Sequence, residues 1–168
     1  MNPAALAKKA VKAYILEKKI IPVPEKIPKD FQKKAGVFVT IEKNNNPRAC
    51  IGTFLPTKEN IAEEIIKNAI TAATKDDRFG AIKKEELALL SYTVSILESP
   101  KKVFSKKELD PKKYGIVVKS GSKIGLLLPG LENIKNVNEQ IFFACQKAGI
   151  DPRKETLEIY KFKVKKYS

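Results

Sequence analysis

Histidine is absent from all 168 residues. That one absence excludes more chemistry than any other feature of the chain. Without an imidazole there is no Ser-His-Asp triad, no Cys-His dyad, no HExxH zinc site and no histidine general base. Any reaction must use a carboxylate, a lysine, a tyrosine, the backbone or a thiol. Thiols are scarce as well. Cys50 and Cys145 are the two cysteines, far apart and outside any CxxC pair, which predicts two free thiols and argues against a disulfide or a zinc site. The phosphate-cradling patterns GxxxxGK[ST] and GxGxxG are missing too, and no cofactor is expected. No window is apolar and long enough to span a bilayer, and Lys8 and Lys9 interrupt the first apolar stretch where a secretory core is continuous. A cytoplasmic protein without membrane association is the expectation.

Lysine is what the chain has in excess. Lys plus Arg number 33 against 19 Asp plus Glu, for a net charge of +14, and almost all of the surplus is lysine. Such a balance gathers nucleic acid or other anions electrostatically. The lysines are nevertheless spread through every segment, whereas a nucleic-acid binder concentrates them in a patch. A solvated, lysine-rich surface is the simpler account. The length suits one domain with a core that needs no staples.

Periodicity predicts an α+β chain in the order helix, hairpin, helix, strand, hairpin, helix, strand. In PAALAKKAVKAYILEKK, Leu6, Ala10, Val11, Tyr14 and Ile15 share one side and lysines the other. Pro22, Pro24 and Pro28 then forbid a helix and favour an extended crossing. GVFVTIE alternates as a strand, KNNNP is a turn because Asn tolerates left-handed backbone, and RACIGTF returns as a second strand carrying Cys50. In TKENIAEEIIKNAITAATKD, Ile61, Ile65, Ile66, Ala69, Ile70 and Ala73 form one apolar stripe, with Thr57 as N-cap and Glu59 in the first turn. ELALL is a short apolar patch before the strand SYTVSILES, which Pro100 ends. YGIVVK and KIGLLLPG flank Ser120-Gly121-Ser122 as a hairpin, and NVNEQIFFACQKAGI is a helix closed by Gly149. TLEIYKFKVKKYS is a last strand whose apolar parity shifts between Ile159 and Tyr160, as a bulge or a change of partner produces. Short turns between neighbouring strands imply an antiparallel sheet covered by the long helices.

NPRACIGTF carries the main candidate. On a regular strand Arg48, Cys50 and Gly52 share a face. The guanidinium and the dipole of a helix beginning near Thr57 would then favour a thiolate, and Gly52, with Thr53 after it, would admit a ligand to the backbone. The alternative is that Cys50 packs as a small hydrophobe. Cys145 falls on the apolar stripe of its helix and is expected in the core. KDDRF puts Asp76, Asp77, Arg78 and Phe79 in the loop after the main helix. On its own this is a loop ion pair or a helix C-cap; folded back beside Cys50, Asp76 would be a base or would orient Arg48. A divalent cation lacks a third ligand close in sequence, so no metal is expected. KFKVKK is either an edge strand protected by lysines or an aromatic-basic surface suited to single-stranded nucleic acid.

RACIGTF resembles the LRGCIG signature of the AMMECR family. GVFVTIEKN, ENIAEEIIKNAITAATKDDRF, ELALLSYTVSILESPKKV, GLLLPGLENIKNVNEQIFFACQKAGI and EIYKFKV are similar to that family's blocks in order and spacing. The resemblance runs from about Gly36 to the end, with residues 1–35, the first helix and the proline-rich crossing, outside it. The later blocks are most similar to stand-alone bacterial and archaeal members, often named AmmeMemoRadiSam system protein A. The resemblance implies one domain over residues 1–168, with an α+β fold in which a larger part, an antiparallel sheet flanked by helices, has a smaller part beside it. It also implies a cleft near the signature. It brings no established reaction; the system name implies Memo-like and radical SAM proteins as partners. Arg48, Cys50, Ile51 and Gly52 match the signature, while Ala49 stands where the family has glycine and Pro47 where it has leucine. Asp76, Arg78 and Phe79 match a second block, with Asp77 and Gly80 where proline is common.

The expectation is therefore a cleft at Cys50 that recognises, or performs thiol-dependent chemistry on, a small molecule or a modified protein. Cys50 would be the nucleophile or thiol ligand, Arg48 the local positive charge or anion clamp, and Asp76 with Arg78 the support. An interaction module for partner proteins needs no activated thiol and is the alternative; a basic nucleic-acid binder is the third reading.

Overall fold

Three helices and eight strands follow one another along the chain: α1 (Pro3–Glu17), β1 (Val37–Lys43), β2 (Asn46–Thr53), α2 (Ile61–Lys75), β3 (Leu90–Leu97), β4 (Lys101–Val103), β5 (Gly115–Ser120), β6 (Lys123–Leu127), α3 (Val137–Ala148), β7 (Glu158–Phe162) and β8 (Val164–Tyr167). They belong to a computed structural model that describes residues 1–168. The α+β class takes the form of two four-stranded antiparallel sheets, one in each of two units, residues 1–97 with 165–168 and residues 98–164. No helix is long and apolar enough to cross a membrane.

In the first unit the sheet order is β2-β1-β3-β8. The β1–β2 hairpin turns on Asn44 and Asn45, both left-handed with φ of 51° and 63°, the geometry that matches the twist of paired strands. Asn2 caps α1 through the backbone N–H groups of Ala4 and Ala5. α1 and α2 pack together and against the sheet, burying Val11, Ile61 and Ile65 with Val37, Val39, Ile41 and Val94. The start of α2 departs from expectation. Asn60, not Thr57, is its cap, accepting from Glu63 N at 2.9 Å. Thr57 is instead tied to the buried Glu64 carboxylate through its backbone N–H at 2.7 Å and its hydroxyl at 3.0 Å. Burial pushes the Glu64 pKa upward, but hydrogen bonds from Thr53, Thr57 and Lys58 outweigh it and leave the group below its ordinary value. The first four residues of ELALL, Glu86 to Leu89, lie in a 3-10 turn, Lys84–Leu89, and its last, Leu90, opens β3.

The second unit has the order β4-β7-β5-β6, with α3 packed on β6 and β5. α3 approaches β6 so closely that a Cβ on Gly125 would lie 2.1 Å from the Ala144 carbonyl oxygen, so only glycine fits there. Cys145 packs in this core, and burial pushes its thiol pKa up. The expected last strand is two strands. β7 and β8 sit in different sheets and part at Lys163, so the parity shift reports a change of partner whose break falls beyond Ile159–Tyr160. KFKVKK is divided accordingly: Lys161 and Phe162 belong to β7, which lies between β4 and β5, whereas Val164, Lys165 and Lys166 belong to β8, the edge strand of the first sheet, so the edge-strand reading holds for the second half only.

Candidate functional site

The site begins with an irregularity. Ile41 opposes Ala49 but Glu42 opposes Pro47, leaving Arg48 as the extra residue of a bulge in β2. Pro47 has no N–H to give the ladder, and β2 is an edge strand, so the slip falls where it is tolerated. Freed from the ladder, Arg48 donates from Nε to Glu86 Oε1 at 2.9 Å and from Nη2 to Glu86 Oε2 at 3.0 Å. Its remaining donors reach the carbonyls of Phe79, Gly80 and Ala81 at 3.4, 3.0 and 3.1 Å. All five N–H groups of the guanidinium are thereby occupied. Arg48 clamps the loop after α2, and no donor is left for the anion-clamp role expected of it. Above all the Arg48 bond, working against burial, holds the Glu86 carboxyl well below the usual carboxylate range.

Asp76 and Arg78 close the open edge of β2. Cys50 N–H donates to Asp76 Oδ2 at 2.8 Å, Arg78 Nη2 donates to the Cys50 carbonyl at 3.1 Å, and Arg78 grips Asp76 at 2.9 and 2.7 Å. The ion pair thus does for Cys50 what a neighbouring strand would. Two of the chain's three arginines serve this region, where a planar bidentate fork is needed and a lysine does not substitute. Because the Cys50 N–H points outward, Cys50 and its partner Thr40 on β1 form a non-hydrogen-bonded pair with close side chains. Thr40 Oγ1 lies 3.3 Å from Cys50 Sγ. Thr93 opposes Thr40 on β3, and its hydroxyl is 3.3 Å from that of Ser168, so Cys50 begins a polar row across the sheet.

The electrostatics differ from those the sequence suggests. Asp76 is 3% exposed. The Arg78 guanidinium, then the N–H groups of Cys50 and Arg78, overcome the opposing effect of burial and hold its pKa at about 2. An ionised carboxylate so occupied is a poor base, and it orients Arg78, not Arg48. The end of α2 beside Cys50 is its C-terminus, the negative pole; the N-terminus is roughly 21 Å away for a helix of this length. The dipole support expected for a thiolate is therefore at the wrong end.

Gly52 is not an opening for a ligand. It opposes Phe38, and a Cβ there would stand 2.2 Å from the Phe38 ring. Gly52→Ala should cost about 1–3 kcal/mol by overpacking, measured by urea denaturation; in a Phe38→Ala background the same change should cost less but not nothing, because the Phe38 Cα would still stand 2.7 Å from the new Cβ, and equal costs in both would show that the ring is not the obstacle. Thr53 is engaged elsewhere, donating to Glu64 at 2.6 Å and accepting from Asn68 at 3.0 Å. Ala49 is a buried core residue without left-handed backbone, so alanine is accommodated where the family has glycine. Arg78 and Phe79 remain outward-facing. The Arg78 side chain is 62% exposed, its guanidinium 5.2 Å from the Phe79 ring centroid, and Phe79 is 42% exposed. Glu86 and Thr40 were missed by sequence reasoning. Glu86 sits in an undistinguished charged run, and Thr40 meets Cys50 only through the bulged register.

The AMMECR1 family model matches residues 4–167, taking in α1, which the motif resemblance left outside. A Thermotoga maritima protein is 44% identical over 161 residues, covering 95% of this chain and 92% of its own. A Clostridium acetobutylicum protein is 42% identical over 164 residues, which span 96% of this chain but 35% of that longer one. The crystal structure of an uncharacterised protein from Pyrococcus horikoshii matches with a TM-score of 0.89 at 31% identity, covering 98% of this chain and 88% of that one. With the family model running from α1 to β8 over the signature and its supporting loop, this protein belongs to the AMMECR1 family.

Proposed function

We propose that the surface around Cys50 is a preorganised recognition site for a ligand or partner protein, contacted through Arg78 and Phe79, and that it works without an ionised thiol. One observation carries the reading: the charged groups of the signature region, Arg48, Asp76 and Glu86, are bonded to the protein itself, and the outer edge of Arg78 with the Phe79 ring is what faces outward. Arginine and aromatic side chains are the types that dominate recognition surfaces. Cys50 Sγ bonds to a hydroxyl, not to a base. Memo-like and radical SAM proteins are the proposed partners.

The test uses such partner proteins, purified, in a binding assay. Phe79→Ala, which leaves the ion pairs in place, should weaken binding at least tenfold, while Cys50→Ser should stay within about threefold of the parent. If Cys50→Ser, with its fold intact, abolishes function and Phe79→Ala does not, the site belongs to thiol-dependent chemistry. That second reading is favoured by the partial exposure of Cys50. The net charge favours a third, nucleic-acid binding, for which retention on DNA that falls steeply with salt is the signature.

A further inference from the structure

A different kind of site lies wholly within the second unit. Lys101 of β4 stands directly opposite Lys161 of β7. Directly opposed residues of an antiparallel pair project from one face with their Cβ atoms about 5 Å apart, and like charges so placed are destabilising. Lys161 is not a peripheral residue. Its other cross-strand partner, Ile116, is fully buried, and its own side chain is 21% exposed. Lys163 follows two residues on. The ammonium groups of Lys161 and Lys163 converge on the ring of Tyr114, 5.0 and 6.0 Å from its centroid. Tyr114 is itself held in place, its carbonyl accepting from the buried Gln140 amide at 2.8 Å.

Compensation inside the protein is partial. Lys161 lies 3.5 Å from the Glu108 carboxylate and donates to the Glu108 carbonyl at 3.2 Å. Lys101 and Lys163 pair with no carboxylate. The three lysines, Tyr114, Glu98 and Ser99 line a cavity of about 290 Å³, at the small end of ligand sites. A cross-strand pair of like charges, a third lysine on the same ring and a concave polar lining all have one remedy, an anion with several oxygens.

We propose that this cavity binds the phosphate group of a small phosphorylated ligand, with Lys101, Lys161 and Lys163 as its counter-charges and the Ser99 hydroxyl as a further donor. A phosphate monoester carries close to two negative charges at neutral pH; three ammonium groups stand against the lining Glu98 and the Glu108 carboxylate beside Lys161, which leaves Lys101 and Lys163 as the two charges free to meet it. Lysine binds such a group as a point charge, with no demand for bidentate geometry.

Inorganic pyrophosphate and inorganic phosphate are the probes, with sodium chloride at matched ionic strength as the reference. Pyrophosphate should raise Tm above that reference, as any ligand selective for the folded state does, and should bind in calorimetry. Lys161→Ala with Lys163→Ala should lower its affinity at least tenfold, while Lys8→Ala with Lys9→Ala on α1 leaves it unchanged. Lys101→Glu separates a lost site from a lost fold. It puts an opposite charge across from Lys161, so the ligand-free protein should be no less stable while the pyrophosphate response disappears. No Tm rise beyond the salt reference, or binding that survives the Lys161 and Lys163 changes, overturns the proposal. So does tight binding of a short oligothymidylate, sensitive to those changes, in the absence of pyrophosphate binding; the face would then belong to nucleic acid.

Discussion

Arg48→Ala should lower the stability of the protein by about 2–4 kcal/mol, somewhat less than the cost of breaking a fully buried ion pair by removing one partner. Both partners are largely shielded, with side-chain exposures of 12% for Arg48 and 14% for Glu86. The change leaves Glu86 with Lys43 and one backbone N–H and strips a donor from three successive carbonyls of the loop 79–81. Arg48→Lys should also be costly, about 2 kcal/mol, because an ammonium presents its donors from one atom and cannot serve a carboxylate fork and three carbonyls together. Glu86→Leu added to Arg48→Ala should restore part of the loss by removing the orphaned charge. Guanidinium denaturation of the four proteins reads all of this. A loss below about 1 kcal/mol for Arg48→Ala would mean that the loop is held by other contacts.

The second large effect belongs to Asp76 and depends on pH. Its folded pKa is about 2 against an ordinary value of 3.8. A depressed carboxylate contributes stability that is fully present above its unfolded value and is lost as pH falls through the folded one, here between about pH 4 and pH 2. The shift corresponds to about 2 kcal/mol at neutral pH. Asp76→Asn should therefore cost about 2–3 kcal/mol at pH 7, since it also weakens the acceptor for the Cys50 N–H, and should flatten the stability profile across that acid window. The flattening is partial, because Glu64 and Glu86 also lie below their ordinary values and lose their own contributions on acidification. Arg78→Ala should cost at least as much as Asp76→Asn at pH 7, because it leaves the buried Asp76 carboxylate ionised without its main partner. A mutant profile parallel to that of the parent from pH 5 to pH 2 would remove Asp76 from this account.

Much of the fold was legible because its signals are local. The stripe of α2, the Asn turn, the Gly149 stop of α3 and the core position of Cys145 each depend on residues within a few positions of one another. The helix N-caps were less so. Thr57 and Asn60 are both good caps by type, and what decides between them is Glu64, buried one turn inside the helix and bonded to Thr57 from there. The division of TLEIYKFKVKKYS between two sheets left only a parity shift as its trace, since a strand carries no local mark of which sheet it will join.

Cys50 shows where local reading ends. Counting back from the Asn44–Asn45 turn, a regular hairpin pairs Thr40 with Ala49, which would send Ala49 to the open face and Cys50 toward the helices. The bulge moves the register by one, so Thr40 meets Cys50 and Ala49 enters the core beside Ile41; a one-residue slip exchanges the faces. What holds the bulge is Arg48 reaching groups 31 to 38 positions away in sequence. By itself the sequence determined the α+β class, the helix faces, the turns and the exclusion of every histidine mechanism, because composition and short-range periodicity suffice for these. Tertiary structure alone decided that Cys50 faces outward beside Thr40, that Arg48 and Asp76 are framework and Arg78 with Phe79 the exposed surface, because strand register and ion pairing are settled between segments that the chain brings together only on folding.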